Sequence, residues 1–287
     1  MLNPIKSAYN LLIENLPPEA SLKLQFLRYQ RRLPHFDKPR LFTEKVQYRK
    51  LHDRNPMLPL FADKVKAKEL VAEILGPEWV IPTLWSGTAL PPREDRNWPL
   101  PYVVKANHGC EMNLFVRSDT DRNWDYLEST VTEWLSVSYY NQVRHEWLYS
   151  QITPQVLIEP YIGSISELPT DYKVFVFNGR AEYIQVDTGR DKEDRHRRAF
   201  YDRYWAKQPF TLKYPLDHSV IPKPASLDRM LAAAEQLAKD TPFARVDFYE
   251  IGGAPLFGEM TFYPSSGLAA FQPFEYDRKL GSLLRYP

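Results

Sequence analysis

Asp247 and Glu259 lie in two strand-like runs on either side of a glycine pair, and their spacing gives them a shared chemistry. The first run is Arg245-Val246-Asp247-Phe248-Tyr249-Glu250-Ile251; Gly252-Gly253-Ala254 follows, then Pro255 through Phe262. Together they read as a β-hairpin with a glycine-containing loop. A three-residue loop sets Ile251 against Pro255, Tyr249 against Phe257, and Asp247 directly opposite Glu259. Opposed Cβ atoms on one face are about 4.5–5.5 Å apart. Two carboxylates at that distance raise each other's pKa unless a cation lies between them. Carboxylate oxygens, with water and phosphate, are the ligands Mg²⁺ prefers. Arg245 and Thr261 fall on the same face, so the competing reading is an ion network of Arg245, Asp247 and Glu259 holding an exposed sheet face. The register is the premise to test. A two-residue loop would pair Asp247 with Gly258 and turn Glu259 to the other side.

Two lysines offer the complementary charge. Val103-Val104-Lys105-Ala106-Asn107-His108-Gly109 places Lys105 near the end of a buried-looking strand, before a loop whose N–H groups can wrap phosphate oxygens. Asp171-Tyr172-Lys173 opens a second strand, on which Asp171 and Lys173 share a face by alternation. Asn178-Gly179 after it is a hairpin turn signal. Ile158-Glu159-Pro160-Tyr161-Ile162 could offer main-chain groups and apolar walls to a flat ring, although by itself it also reads as an edge strand with proline. No Walker sequence, HExxH or G-x-S-x-G occurs, so P-loop, zincin and serine-hydrolase chemistry are excluded. Cys110 is the one cysteine, which rules out an intramolecular disulfide.

Elements must hold these residues in place. A helix is expected from about Asp63 to Leu75, stopped by Gly76-Pro77. Strands are expected at Tyr102–Ala106, Val156–Pro160, Lys173–Phe177, Glu182–Val186, Arg245–Ile251 and Leu256–Phe262. Two further helices are expected, one from about Asn123 to Tyr149 and one behind the N-cap candidate Ser226 with an apolar stripe from Leu227 to Ala238. Strands, hairpins and helices mixed in this way predict an α+β fold and not a doubly wound parallel sheet.

The whole chain is consistent with a folded enzyme. It has 44% hydrophobic residues and a formal net charge of +1, which argues against a general nucleic-acid binder. Charge is uneven: Lys23 to Arg54 holds ten Lys/Arg against Asp37, Glu44 and Asp53. Such a patch could meet an anionic acceptor or the inner face of a membrane, or could simply be a solvated helical face. With no apolar run of membrane-span length and no signal-peptide core near the N-terminus, the expected location is cytoplasmic.

Taken in order, these pieces resemble the TupA-like branch of the ATP-grasp proteins, associated with teichuronopeptide and other bacterial surface-polysaccharide gene clusters. The resemblance runs from about Phe42 to the C-terminus. It is carried by Asp63-Lys64, Leu100 through Asn113, Ile158-Glu159, Asp171-Tyr172-Lys173, Tyr201-Asp202 with Trp205, Arg245-Val246-Asp247, and Phe257 through Gly267. It implies an ATP-grasp fold in which two α+β subdomains grip ATP: a helical basic extension over residues 1–60, N-terminal and small subdomains over 61–157, and a C-terminal subdomain with the metal site over 158–287. It also implies that Lys105 and Lys173 contact phosphates, that Glu159, Tyr161 and Ile162 form the adenine hinge, and that Asp171 meets the ribose or orients Lys173. Arg245 would neutralise the transferred phosphate, and Asp247 and Glu259 would hold Mg²⁺ with Thr261 acting through water. The loop from His108 and Gly109 to Asn113 would close over the phosphates. Two departures stand out: Cys110-Glu111 replaces a Gly-Ser-Gly-like run, and Thr261 stands where many ATP-grasp enzymes carry Asn. The implied activity is ATP-dependent joining of a small-molecule carboxylate to an amine, with a glycan or lipid-linked glycan as a conceivable acceptor. A polysaccharide glycosyltransferase, a sugar kinase and a non-catalytic ATP-binding module are the alternatives. Alanine at Lys173, Asp247 or Glu259 is expected to abolish turnover with little loss of folding.

Overall fold

The computed structural model describes residues 4–137, 144–163, 168–189 and 193–286. Five helices come first: α1 (Pro4–Asn15), α2 (Pro18–Gln30), α3 (Phe42–His52), α4 (Met57–Ala62) and α5 (Lys64–Leu75). Asp63 starts α5 as an N-cap whose side chain accepts from the N–H groups of Val65 and Lys66, and Gly76 ends it with φ 109°.

A four-stranded antiparallel sheet follows, built from β1 (Trp85–Gly87), β2 (Tyr102–Ala106), β3 (Asn113–Val116) and β4 (Val156–Pro160) in the order β1-β4-β2-β3. Leu127 and Val131 of α6 (Trp124–Ser136) join Tyr102, Val104, Val156 and Ile158 in its core. The expected helix to Tyr149 is therefore too long. Ser136 and Val137 favour helix weakly, and Val137 is already extended; residues 138–143 lie outside the described residues, and Trp147–Gln151 is a separate 3₁₀ turn.

The larger sheet has six strands in the order β11-β10-β5-β6-β7-β8, every neighbour antiparallel. They are β5 (Asp171–Phe177), β6 (Arg180–Thr188), β7 (Arg197–Asp202), β8 (Lys207–Gln208), β10 (Phe243–Ile251) and β11 (Ala254–Thr261). Short β9 (Thr211–Leu212) and β12 (Phe271–Gln272) pair with each other, and α7 (Leu227–Leu237) and α8 (Glu275–Leu283) complete the chain. The expected apolar stripe of α7 is buried, but the Ser226 hydroxyl donates to Glu250 instead of capping the helix. Along β5 one face carries Asp171 and Lys173, then turns apolar at Phe175 and Phe177, where Phe42 of α3 and Phe243 pack. One strand thus serves both the core and a charged face.

Two expectations need correction. β4 pairs wholly within the small sheet, so a boundary at residue 157/158 would cut a strand; the sheets part after Pro160. The basic N-terminal run is not one patch: Lys23, Arg28, Arg31, Lys38, Arg40 and Arg54 are exposed, but the other cations turn inward. Arg49 and Lys50 are each 1% exposed. Arg49 donates to the Phe243 carbonyl and the Thr241 hydroxyl, Lys50 to the Ser266 carbonyl and hydroxyl, and Lys45 to the carbonyls of Gly281 and Leu284. Arg32 pairs with Asp277. These cations are consumed inside the protein because the C-terminal loops expose carbonyls that need donors. Among the described residues, no helix is long and apolar enough to cross a membrane.

Candidate functional site

The β10–β11 hairpin reaches the expected juxtaposition by an unexpected route. Its turn has two residues, Gly252 and Gly253, with φ 58° and 78°, so Ile251 pairs with Ala254 and Tyr249 with Leu256. That register alone would put Asp247 against Gly258. A β-bulge between the Phe248–Phe257 and Asp247–Glu259 pairs absorbs Gly258 as an extra residue and brings Asp247 opposite Glu259, with Arg245 opposite Thr261. A Cβ at Gly258 would lie 3.2 Å from both the Asp247 carbonyl oxygen and the Tyr249 ring, so glycine is what the bulge accommodates.

On this face the charges interlock. Arg245 forks onto Asp247 with two bonds of 2.7 Å, and the same guanidinium reaches Glu259 Oε1 at 3.1 Å and Thr261 Oγ1 at 3.0 Å. From β5, Lys173 Nζ donates to Asp247 Oδ2 at 2.5 Å and to Asp171. Burial pushes the Asp247 carboxyl up to about 6 against the pull of Arg245 and Lys173. Burial acts on Glu259 in the same sense, but Lys64, Arg245, Lys173 and Lys105 together hold it low, at about 2. Burial also opposes the Lys173 charge, yet Asp171 and Asp247 leave its pKa raised. The ion network expected as an alternative is real, and it lines a cleft.

The small sheet supplies the facing wall. Lys105 Nζ lies 2.5 Å from Glu159 Oε2, whose other oxygen accepts from Lys68 Nζ at 2.6 Å; Lys68 also donates to Thr83. Glu159 is buried between two ammonium groups, which keep its pKa low although burial would raise it. Lys64, at the start of α5, donates to the Gly109 carbonyl at 2.5 Å, and burial lowers its pKa. Gly109 lines the cleft with Cys110 and Glu111. His108 does not. Its ring is buried, with nitrogens 3.1 Å from Asn107 Oδ1 and from the carbonyls of Trp134 and Val137 at the end of α6, so this residue fastens the loop to the helix behind it. Tyr161 and Ile162 line an adjoining cavity of about 670 Å³ with Ile81, Val103 and Phe115, and Tyr161 meets Phe115 edge to face.

Sequence reasoning missed seven charged cleft residues: Lys64, Lys68, Arg144, Glu146, Asp187, Arg198 and Lys213. Lys64 and Lys68 lie one helical turn apart at the start of α5, a spacing that surface helices also show. Asp187 and Arg198 face each other across β6 and β7, where Arg198 forks onto Asp187 at 2.6 and 3.0 Å. Burial opposes the charge of Asp187, but His196 and Arg198 hold its pKa well below the carboxylate range. Of these two strands only Glu182–Val186 was expected, and β7 was not.

The main cleft encloses about 740 Å³, and its lining carries eight Lys/Arg against seven Asp/Glu. Most of these cations already answer to a carboxylate: Lys68 and Lys105 to Glu159, Lys173 to Asp171 and Asp247, Arg198 to Asp187 and Arg245 to Asp247. An anionic ligand and a cation entering together could trade partners with these pairs without burying net charge. Asp247 and Glu259 offer hard oxygen donors on one face of that cleft. Among the described residues no three His, Cys, Asp or Glu converge as a metal cage.

Several solved structures are similar in fold. The D-alanine–D-alanine ligase from Bacillus anthracis is 20% identical, with a TM-score of 0.43 over 72% of this chain and 59% of that one. The corresponding figures are 19%, 0.44, 79% and 62% for the D-alanine–D-alanine ligase from Helicobacter pylori, and 14%, 0.43, 89% and 51% for an L-amino acid ligase from Bacillus licheniformis. The chain thus spans less than two thirds of the length of each. None of the curated proteins matches it in sequence. The profile of the TupA-like ATP-grasp family matches residues 44–285, and the chain belongs to that family.

Proposed function

We propose that the protein is an ATP-dependent carboxylate–amine ligase that works through an acyl phosphate. The observation that carries this reading is the meeting, in one cleft, of the Asp247–Glu259 pair with lysines from two separate sheets, Lys105 and Lys173, and with Lys64 from α5. In this reading the adenine lies in the adjoining cavity against Tyr161 and Ile162, with Glu159 contributing main chain because its carboxylate is held by Lys68 and Lys105. Lys105 and Lys173 turn from their carboxylates to the phosphates, Lys64 stands beside Lys105, and Asp171 keeps Lys173 aimed. Mg²⁺ entering with the nucleotide would be held by Asp247 and Glu259, with Thr261 in reach through water, and would supply charge neutralisation at the phosphate oxygens.

A substrate carboxylate oxygen then attacks the γ-phosphorus and ADP leaves. Arg245, Lys105 and Lys173 offset the charge on the transferring group, because phosphoryl transfer depends chiefly on positioning and electrostatics. An amine next attacks the acyl carbon, phosphate leaves with its bridging oxygen, and an amide remains. The loop around Gly109–Glu111 shields the acyl phosphate from water. The setting in surface-polysaccharide assembly, with a uronic acid or an amino-acid decoration as carboxylate, rests on the family alone. The deciding experiment supplies Mg-ATP, amine and ¹⁸O-labelled carboxylate and follows the label. Its arrival in inorganic phosphate, in step with amide, is expected. Amide formed with unlabelled phosphate would refute the acyl phosphate, and a stable phosphorylated product would make the protein a kinase.

A further inference from the structure

The cleft does not end at the paired acids. Away from the adenine cavity its lining continues through Ser265 and Ser266 to Arg144 and to Tyr29 of α2. Tyr29 precedes the family match, which begins at residue 44. α2 is fixed at this point: Gln30 Nε2 donates to the carbonyls of Leu268 and Ala269 at 3.1 and 2.9 Å, and both of those residues line the cleft. The Arg144 guanidinium lies 5.3 Å from the Tyr29 ring centroid, and the Arg28 guanidinium lies 4.0 Å from that of Tyr9 on α1. These four side chains form one cluster. The groups acting on the Tyr9 hydroxyl are Arg28, Tyr29 and Arg144, with no carboxylate among them. That hydroxyl is buried with no hydrogen-bond partner among the described residues, while Tyr29 keeps 48% of its surface open at the cleft mouth.

The contrast with the rest of the cleft is informative. At the paired acids Arg245, Lys105 and Lys173 are each matched by a carboxylate in direct contact, whereas here two arginines rest on tyrosine rings and Glu146, which acts on Arg144, is shared with Lys50 at 3.9 Å. Rings hold a guanidinium without neutralising it, so its N–H fork stays available to a carboxylate or phosphate. The exposed Tyr29 ring offers apolar contact to the body of the same ligand. The cavity proposed for the nucleotide base does not account for this end, since none of Tyr29, Arg144, Ser265 or Ser266 lines it.

We infer that the N-terminal helices and Arg144 build an acceptor subsite, and that the acceptor is an extended anion carrying a carboxylate or phosphate beyond its reacting group. The inference rests on the ligase reading for the direction of the cleft. It predicts that specificity resides in part in a segment outside the family match, with Arg144 the contribution from within it.

The test uses the full chain saturated with Mg²⁺ and a fluorescent ADP analogue. Labelled penta-aspartate, a labelled phosphoserine pentapeptide and neutral penta-asparagine serve as probes, read by anisotropy. One or both anionic probes should bind and the neutral one should not; the preferred anion distinguishes carboxylate from phosphate. Arg144→Gln and Tyr29→Ser should each weaken binding by about tenfold or more, with nucleotide affinity unchanged. Lys38→Gln, an exposed charge elsewhere on the surface, should have no effect. Arg144 stands outside the helices and strands, so its variant is the one least exposed to misfolding. The proposal is overturned if no anionic probe binds, if neutral and anionic probes bind alike, if Arg144→Gln binds as wild type does, or if Lys38→Gln weakens binding equally. Failure of the wild-type chain to bind the nucleotide would sink the ligase reading instead.

Discussion

Asp247 and Glu259 face each other but are unequally placed: the Asp247 side chain is 2% exposed and that of Glu259 36%. This difference corrects the expectation that alanine at any of the site residues spares the fold. Removing Lys173 would strand Asp171 and Asp247 without their shared ammonium, and breaking such a buried set costs about 3–5 kcal/mol. Glu259→Gln is the cleaner probe. It should melt close to wild type yet lose Mg-ATP turnover by about a hundredfold or more, whereas Lys173→Ala should lose both activity and melting temperature. Glu259→Gln with full ADP release would remove Glu259 from the site. At this scale the sequence was readable where a residue sits in a distinctive phrase, as Lys173 does in Asp171-Tyr172-Lys173. It was unreadable for Lys64 and Lys68, whose importance depends on which sheet their helix faces. His108 was misread because its pull toward the carbonyls of α6 is a long-range fact.

The hairpin shows what alternation can and cannot tell. Which residues form β10 and β11 was clear from Val246, Phe248 and Phe257, all buried. The turn length was not, because Gly252-Gly253-Ala254 suits a two- or a three-residue loop, and a bulge has no signature apart from a glycine such as Gly258. Two errors cancelled, an overlong loop and an unseen bulge, and the acids still ended opposite each other. Gly258→Val tests the bulge directly. Its Cβ would press on the Asp247 carbonyl at 3.2 Å, so a loss of about 1–3 kcal/mol of stability is expected, with weaker Mg-dependent nucleotide binding measured by titration. Wild-type binding in that variant would mean that the spacing of the two strands is not critical. Short β1, β3, β8, β9 and β12 escaped notice because two to four residues are too few to show a period.

Across the whole molecule, the basic N-terminal run misled most. A count of ten cations in one stretch reads as a surface property, yet the fold draws several of them inward. Lys50 carries a measurable consequence. Burial lowers its ammonium to about 7, with Glu146 at 3.9 Å pulling the other way. Below pH 7 folded and unfolded chains both hold this proton, so the full cost of burying the charge is present. Between about 7 and the ordinary lysine value of 10.5 the folded chain sheds the proton first, and stability rises with pH. Glu146, raised by burial, acts in the opposite sense from the carboxylate range upward. Urea titrations from pH 7 to 10 should show wild type gaining stability relative to Lys50→Met; parallel curves would mean that Lys50 is not strained by burial. The same inward-turned residues have a wider consequence. Gln30, Lys45, Gln47, Arg49 and Lys50 all donate to main-chain carbonyls of the C-terminal half, at Leu268, Gly281, Ser266, Phe243 and their neighbours. A latch that grips mostly backbone reads little of its partner segment's side chains, the Thr241 and Ser266 hydroxyls being the groups it also reaches. Substitutions in those loops that keep these two hydroxyls should leave the helices fastened, and helices borrowed from a relative should seat in a chimera provided they bring these five donors.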